Sequence, residues 1–162
     1  KCKTRPGPVR AGSMINLIYF SHATRAMGSD ALQDLLTRAR ERNKLRGITG
    51  MLLYQSGYFL QALEGDDDLV HGLFKKIQAD PRHHTVTKIY DQEADERNFK
   101  DWQMGFHLVT GKELEDYDGY SEILSDDLEP REIDLANEMT FVAVSLFKQY
   151  IRAAEAERAS RL

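Results

Sequence analysis

Two apolar runs of strand type, residues 47–54 (GITGMLLY) and 58–64 (YFLQALE), are separated only by Gln55, Ser56 and Gly57. So short a link cannot carry a crossover. The two strands must therefore fold back as an antiparallel hairpin, with Gly57 suited to a left-handed turn position. Helix-type patterns flank this hairpin on both sides. Upstream, Leu32, Leu35, Leu36 and Ala39 recur at i, i+3, i+4 and i+7. That spacing predicts an amphipathic helix over roughly 31–43, with Asp30 as N-cap and Gln33 completing a capping box. Downstream, Asp66, Asp67 and Asp68 put carboxylates at the positive end of a second helix. Its apolar side is Leu69, Val70, Leu73, Phe74 and Ile77, and Pro81 ends it. The three aspartates are read as helix-cap charge rather than as a metal site.

Further strand-type runs lie at 15–20 (INLIYF) and 85–90 (TVTKIY). A fifth strand is expected at 102–108, with Trp102, Met104, Phe106 and Leu108 on one face. The order β-α-β-β-α-β plus one added strand is the split βαβ, or ferredoxin-like, α+β arrangement, with both helices on one face of the sheet. The other face needs a cover, and C-terminal helices are expected to supply it. Pro130 suits the first turn of a helix over about 130–157. That helix carries two apolar stripes, one of Ile133, Ala136, Ala143, Phe147 and Tyr150, the other of Leu135, Met139, Val142 and Leu146. One stripe is expected on the sheet and the other on a second copy of the chain, which predicts a homo-oligomer, a dimer or higher.

Composition narrows the function classes. The 162 residues are 41% hydrophobic and 30% charged, an ordinary globular mix. Residues 1–13, KCKTRPGPVRAGS, carry four cations and two prolines and end in Gly-Ser before Met14. They read as an expression tag, with Met14 as the expected native start. The domain reading is then tag 1–13, compact domain 14–108 and C-terminal helical extension 109–162. The only cysteine, Cys2, falls in the tag, so residues 14–162 offer no disulfide, thiolate nucleophile or cysteine metal ligand. Removing the four tag cations shifts the formal charge from −4 to −8. An acidic domain is a poor nucleic-acid binder by electrostatics alone. No run of 18 apolar residues suggests a membrane span. With no signal peptide either, a cytoplasmic location is expected.

The chemistry begins with Gln61. In a strand it shares a face with Phe59 and Leu63. An amide between two apolar residues is either exposed or held by an internal partner, because unpaired burial costs on the order of 1–3 kcal/mol. Tyr19 falls on the helix-covered face if Ile15 and Leu17 do, and Asn43 ends the first helix near the same layer. A phenol and two amides beside an apolar layer suit a flat ligand with heteroatoms along its edge. Taken singly, each has a plainer reading, as rim tyrosine, solvent-facing glutamine or helix C-cap. No Ser-His-Asp spacing, glycine-rich phosphate loop or HExxH is present. His83 and His84 are adjacent and would face opposite ways in a strand, a poor metal pair. Arg82 with His83 could meet a phosphate at the surface, and Arg25 is ambiguous in the same way.

Tyr19 after NLIY, Asn43 ahead of ITGMLLY, the run G-YFLQALEG, DPRH, and Trp102 with Met104 together resemble the BLUF family, blue-light sensors using FAD. The resemblance covers about residues 14–108, and the spacings of 24, 18 and 41 residues between Tyr19, Asn43, Gln61 and Trp102 match the family pattern. The resemblance implies FAD as cofactor, with FMN or riboflavin possible in recombinant protein. It implies that Tyr19 donates an electron and then a proton to light-excited flavin, and that Gln61 sits between Tyr19 and the flavin. Asn43 would bind the edge of the flavin ring. Asp80, Arg82 and His83 would lie toward the ribityl-phosphate side, and Ile48, Leu52 and Phe59 would pack on the ring. Trp102 and Met104 would sit on the last strand beside Gln61 and relay its state. The implied protein is a photosensor without turnover, of a short stand-alone type, signalling to a downstream protein or by a change of oligomer. Two rival readings are a small acylphosphatase-like hydrolase, with Arg25 and Asn43 in its site, and a flavin-free binding or oligomerisation module.

Overall fold

The computed structural model describes residues 12–100, 105–108 and 138–161. The chain runs β1 (Met14–Ala23), α1 (Ser29–Arg46), β2 (Thr49–Gln55), β3 (Tyr58–Asp66), α2 (Asp67–Gln78), β4 (His83–Glu93), β5 (Gly105–Leu108) and α3 (Glu138–Ala159). The five strands form one sheet in the order β4-β1-β3-β2-β5. β1 lies antiparallel to β3 and β4, β2 is antiparallel to β3, and β5 is parallel to β2. The two α crossovers interleave the first four strands, which is the expected ferredoxin-like α+β sheet with an added edge strand.

The β2–β3 hairpin pairs Gln55 with Tyr58, leaving a two-residue loop of Ser56 and Gly57. Both loop residues have positive φ, 51° and 85°, as a type I′ turn requires. β2 and β3 approach so closely that a Cβ on Gly50 would lie 2.0 Å from the Ala62 carbonyl oxygen. Only glycine fits there.

α1 is longer than its apolar pattern predicts, and Asp30 is not its cap. Gly28 occupies the N-cap without a side-chain hydrogen bond, and Asp30 lies in the first turn. Gly47 ends the helix at φ 62°, so Asn43 stands one turn inside it, on the buried stripe with Leu32, Leu35, Leu36 and Ala39. α2 begins as expected, with the Asp66 carboxylate accepting from the Leu69 N–H at 3.3 Å. β4 is also longer than its apolar run, since an edge strand exposed along much of its length needs no apolar alternation.

Two apolar layers sandwich the sheet. Ile15, Leu17, Tyr19, Leu52, Phe59 and Leu63 meet Leu32, Leu35, Leu36, Val70, Leu73 and Phe74 of α1 and α2. On the opposite face Ile18, Met51, Leu53, Leu60 and Ala62 meet Phe99 and, from α3, Phe147 and Ile151. Phe147, of the first stripe, therefore packs on the sheet together with Ile151, which belongs to neither stripe, while Tyr150, of the same stripe as Phe147, is 46% exposed. Pro130, Ile133, Leu135 and Ala136 lie outside the described residues, as do the side chains of Met139, Val142, Ala143 and Leu146. Trp102 and Met104 also lie outside them, and the described part of the fifth strand starts at Gly105. That strand borders β2, whereas Gln61 stands on β3, flanked by β1 and β2.

Candidate functional site

Strand pairing places Tyr19 of β1 directly opposite Gln61 of β3, and Leu52 of β2 opposite Gln61 on its other side. Alternation turns all three side chains toward α1 and α2. The Tyr19 hydroxyl donates a hydrogen bond to Gln61 Oε1. Tyr19 is 1% and Gln61 6% exposed. The amide that looks misplaced between Phe59 and Leu63 thus has an internal partner 42 residues away in sequence.

These residues form the floor of a cleft between α1 and α2. The cleft is partly open to solvent. Leu35, Ala39, Leu52, Phe59, Leu73 and Ile77 supply apolar walls, and Tyr19, Asn43 and Gln61 supply neutral polar groups. Asn43 is 1% exposed because it continues the buried stripe of α1. Asp80, Arg82 and His83 line one end. Of the residues singled out from the sequence for cofactor binding, eight therefore line one cleft: Tyr19, Asn43, Leu52, Phe59, Gln61, Asp80, Arg82 and His83. Ile48 does not line it and is buried in the adjoining core, against Gly65. Arg25 lies outside it, in a separate depression with Thr24, Met27 and Pro81.

The α2–β4 corner is built to hold its charges. Asp80 Oδ1 accepts from the Arg82 backbone N–H at 2.9 Å and from Nε at 3.0 Å, while Oδ2 accepts from Nη2 at 2.6 Å. This fork matches planar guanidinium to planar carboxylate. Hydrogen bonding to Arg82 holds the Asp80 carboxyl below the usual carboxylate range. His83 follows, with Nδ1 2.9 Å from the Ser21 hydroxyl and its ring 4.8 Å from that of Phe59. Burial lowers its pKa, with Arg82 adding to the effect and Asp80 opposing it. The imidazole is thus favoured as the neutral form. Burial, reinforced by the negative charge of Asp80, pushes the Tyr19 phenol far above its ordinary value. The protonated phenol, the form that donates to Gln61, is therefore strongly favoured.

Sequence reasoning missed Ser21, Arg42 and Lys76. Ser21 is fully buried beneath His83. Arg42 and Lys76 reach the cleft from α1 and α2, but in the sequence both read as solvated helix charge. An apolar slot with a phenol and one amide on its floor, a second amide on its α1 wall, and cations at its margin fits a flat aromatic ring with hydrogen-bonding edges and an anionic tail.

Comparison with known proteins agrees. Residues 14–105 match the family described as BLUF, sensors of blue light using FAD. Over 93 residues the chain is 38% identical to the photoactivated adenylate cyclase subunit beta of Euglena gracilis, a stretch that is 57% of this chain and 11% of that protein. It superposes on the dark-state structure of BlrB, a BLUF protein, with TM-score 0.63 and 30% identity, covering 84% of this chain and 99% of the other. The photo-activated state of BlsA gives TM-score 0.55 and 38% identity, covering 60% and 71%. The chain spans only about a tenth of the cyclase subunit that it matches. With the family matched across β1 to β4 and both cleft helices, this chain belongs to the BLUF family of blue-light flavin sensors.

Proposed function

We propose that the α1–α2 cleft holds FAD, and that light alters the hydrogen bonds of Gln61 without any catalytic turnover. The observation that carries this reading is the buried Tyr19–Gln61 pair at the floor of the cleft. Bound flavin, once excited, supplies a strong oxidant. Tyr19, on the cleft floor, would be the reductant, giving up an electron and its hydroxyl proton, and both would return to it as the cycle closes. Gln61 is the element that retains a change. Its carboxamide has an acceptor end and a donor end, so rotation or tautomerisation exchanges what it offers to Tyr19 and to the cleft. Asn43 orients the ring edge from α1, and Leu52 and Phe59 keep water from competing. Asp80, Arg82 and His83 would lie toward the ribityl side, with the Arg82 guanidinium held by its fork to Asp80.

The same reading assigns residues 14–108 to the sensor and 109–162 to the transmitter. Trp102 and Met104, between β4 and the described β5, would relay the state of Gln61 to the C-terminal helix. That helix would act on a second copy of the chain or on a downstream protein, in the cytoplasm. Among the described residues no helix is long and apolar enough to cross a membrane.

The direct test is the absorption spectrum of purified protein before and after blue light. A yellow protein whose flavin bands move reversibly to the red supports the sensor. A colourless protein that takes up no flavin on reconstitution would exclude it and favour a flavin-free binding module.

A further inference from the structure

The sensor reading leaves one buried charge without a role. Glu64 lies three residues after Gln61 on β3 and is 1% exposed. The alternation of the strand turns it to the opposite face, the one covered by α3. No metal-holding cluster exists among the described residues. The carboxylate is instead surrounded by hydrogen-bond donors. Oε1 accepts from the Asn98 backbone N–H at 2.8 Å and from Asn98 Nδ2 at 2.8 Å. Oε2 accepts from the Phe99 N–H at 3.0 Å and from Thr49 Oγ1 at 3.2 Å. Arg97 closes the arrangement, donating to Thr49 Oγ1 at 2.8 Å, the Glu64 carbonyl at 3.2 Å and the Gly47 carbonyl at 2.6 Å.

All the donors on the far side of this contact belong to the connection that leaves β4. The sheet order puts β4 at one edge and β5 at the other, so the connection must cross beneath β1, β3 and β2. Glu64 grips it midway, and Phe99 then inserts beside Met51, Leu60 and Phe147. The chain enters the Trp102–Met104 segment only three residues beyond Phe99.

We infer that Glu64 is a positioning residue. It fixes the start of the segment bearing Trp102 and Met104 to the same strand that carries Gln61, so that a change at Gln61 reaches that segment through β3. The inference rests on the sensor reading for its functional part. Its structural part, the grip of Glu64 on Asn98 and Phe99, is testable in the dark without it. A carboxylate is required because it accepts at both oxygens. A carboxamide would turn its own N–H2 toward backbone N–H donors.

The test compares the full chain with its Glu64→Gln and Asn98→Ala variants, each loaded with flavin. Hydrogen exchange in the dark should show the Asn98 and Phe99 amides of Glu64→Gln exchanging at least about tenfold faster, as expected for loss of a charge-assisted hydrogen bond. Flavin content and the size of the light-induced red shift should match the parent. The light-induced change in emission from Trp102, the single tryptophan, should fall to less than half. Asn98→Ala, which removes one donor, should move both readouts in the same direction by less, and it decides the matter if Glu64→Gln does not fold. Parent-like protection of the two amides would overturn the anchor. An unchanged Trp102 response despite faster exchange would overturn the coupling. A parent protein with no red shift would instead overturn the sensor reading, while the dark exchange result still stands.

Discussion

Tyr19 and Gln61 show how a residue's meaning is set by its register partner. Gln61 alone is an amide in an apolar run. Paired across β1 and β3, it becomes the acceptor of a phenol that burial keeps protonated. Replacing Gln61 with leucine preserves volume and removes both donor and acceptor. Gln61→Leu is therefore expected to bind flavin but to show no red shift on illumination, and a normal shift in that variant would refute the assigned role. Tyr19→Phe removes the hydroxyl while keeping the ring against Phe74. It should likewise lack the normal photocycle, as read by flash spectroscopy. The alternation in YFLQALE already indicated which face Gln61 occupies. The identity of its partner did not show there, because 42 residues separate the two and no local pattern spans that distance.

At the level of elements, the strands and helices are held together by a few contacts with distinct signatures. Gly50 is where β2 and β3 come closest, and a methyl group there would strike backbone rather than a side chain able to move. Gly50→Ala should cost about 2–3 kcal/mol of stability in urea unfolding. A neutral substitution would mean that the hairpin can spread. His71 joins α2 to β4, with Nδ1 2.5 Å from Asp67 and Nε2 2.9 Å from Asp91. Burial works against its cation, yet hydrogen bonds and charge from Asp91 and Asp67 outweigh that and raise its pKa above 6.5. A raised folded-state value stabilises the protein below the unfolded value, and this contribution is lost as pH rises through the folded value. Burial depresses the pKa of His83 and so gives the opposite slope, with stability falling as pH drops below 6.5. His71→Gln should therefore remove the part of the stability loss that accompanies a rise toward pH 8, as measured by chemical denaturation across pH. Helix α1 outruns its apolar stripe because Lys44, Leu45 and Arg46 extend it on helix propensity until Gly47, beyond what burial alone marks.

For the molecule as a whole, two apolar layers with different tasks share one sheet. The α1–α2 side holds the cleft, and the α3 side holds the connection to β5. Phe147 anchors α3 by packing near Phe20, with ring centroids 5.9 Å apart, and is 2% exposed. Phe147→Ala should lower stability by about 3 kcal/mol while leaving flavin binding and the red shift intact, because it lies on the other face. Loss of the red shift would show that the two layers are not separable. The hairpin, the two flanking helices and the ferredoxin-like order follow from the sequence by itself, because turn chemistry and periodicity act over a few residues. Only the tertiary structure decided that β5 borders β2, that Ser21 lies under His83, and that Glu64 holds Asn98 and Phe99 from 34 and 35 residues away. A buried charge among polar neighbours looks in sequence like any solvated glutamate. What distinguishes it is the set of donors gathered around it, and folding brings those from separate parts of the chain.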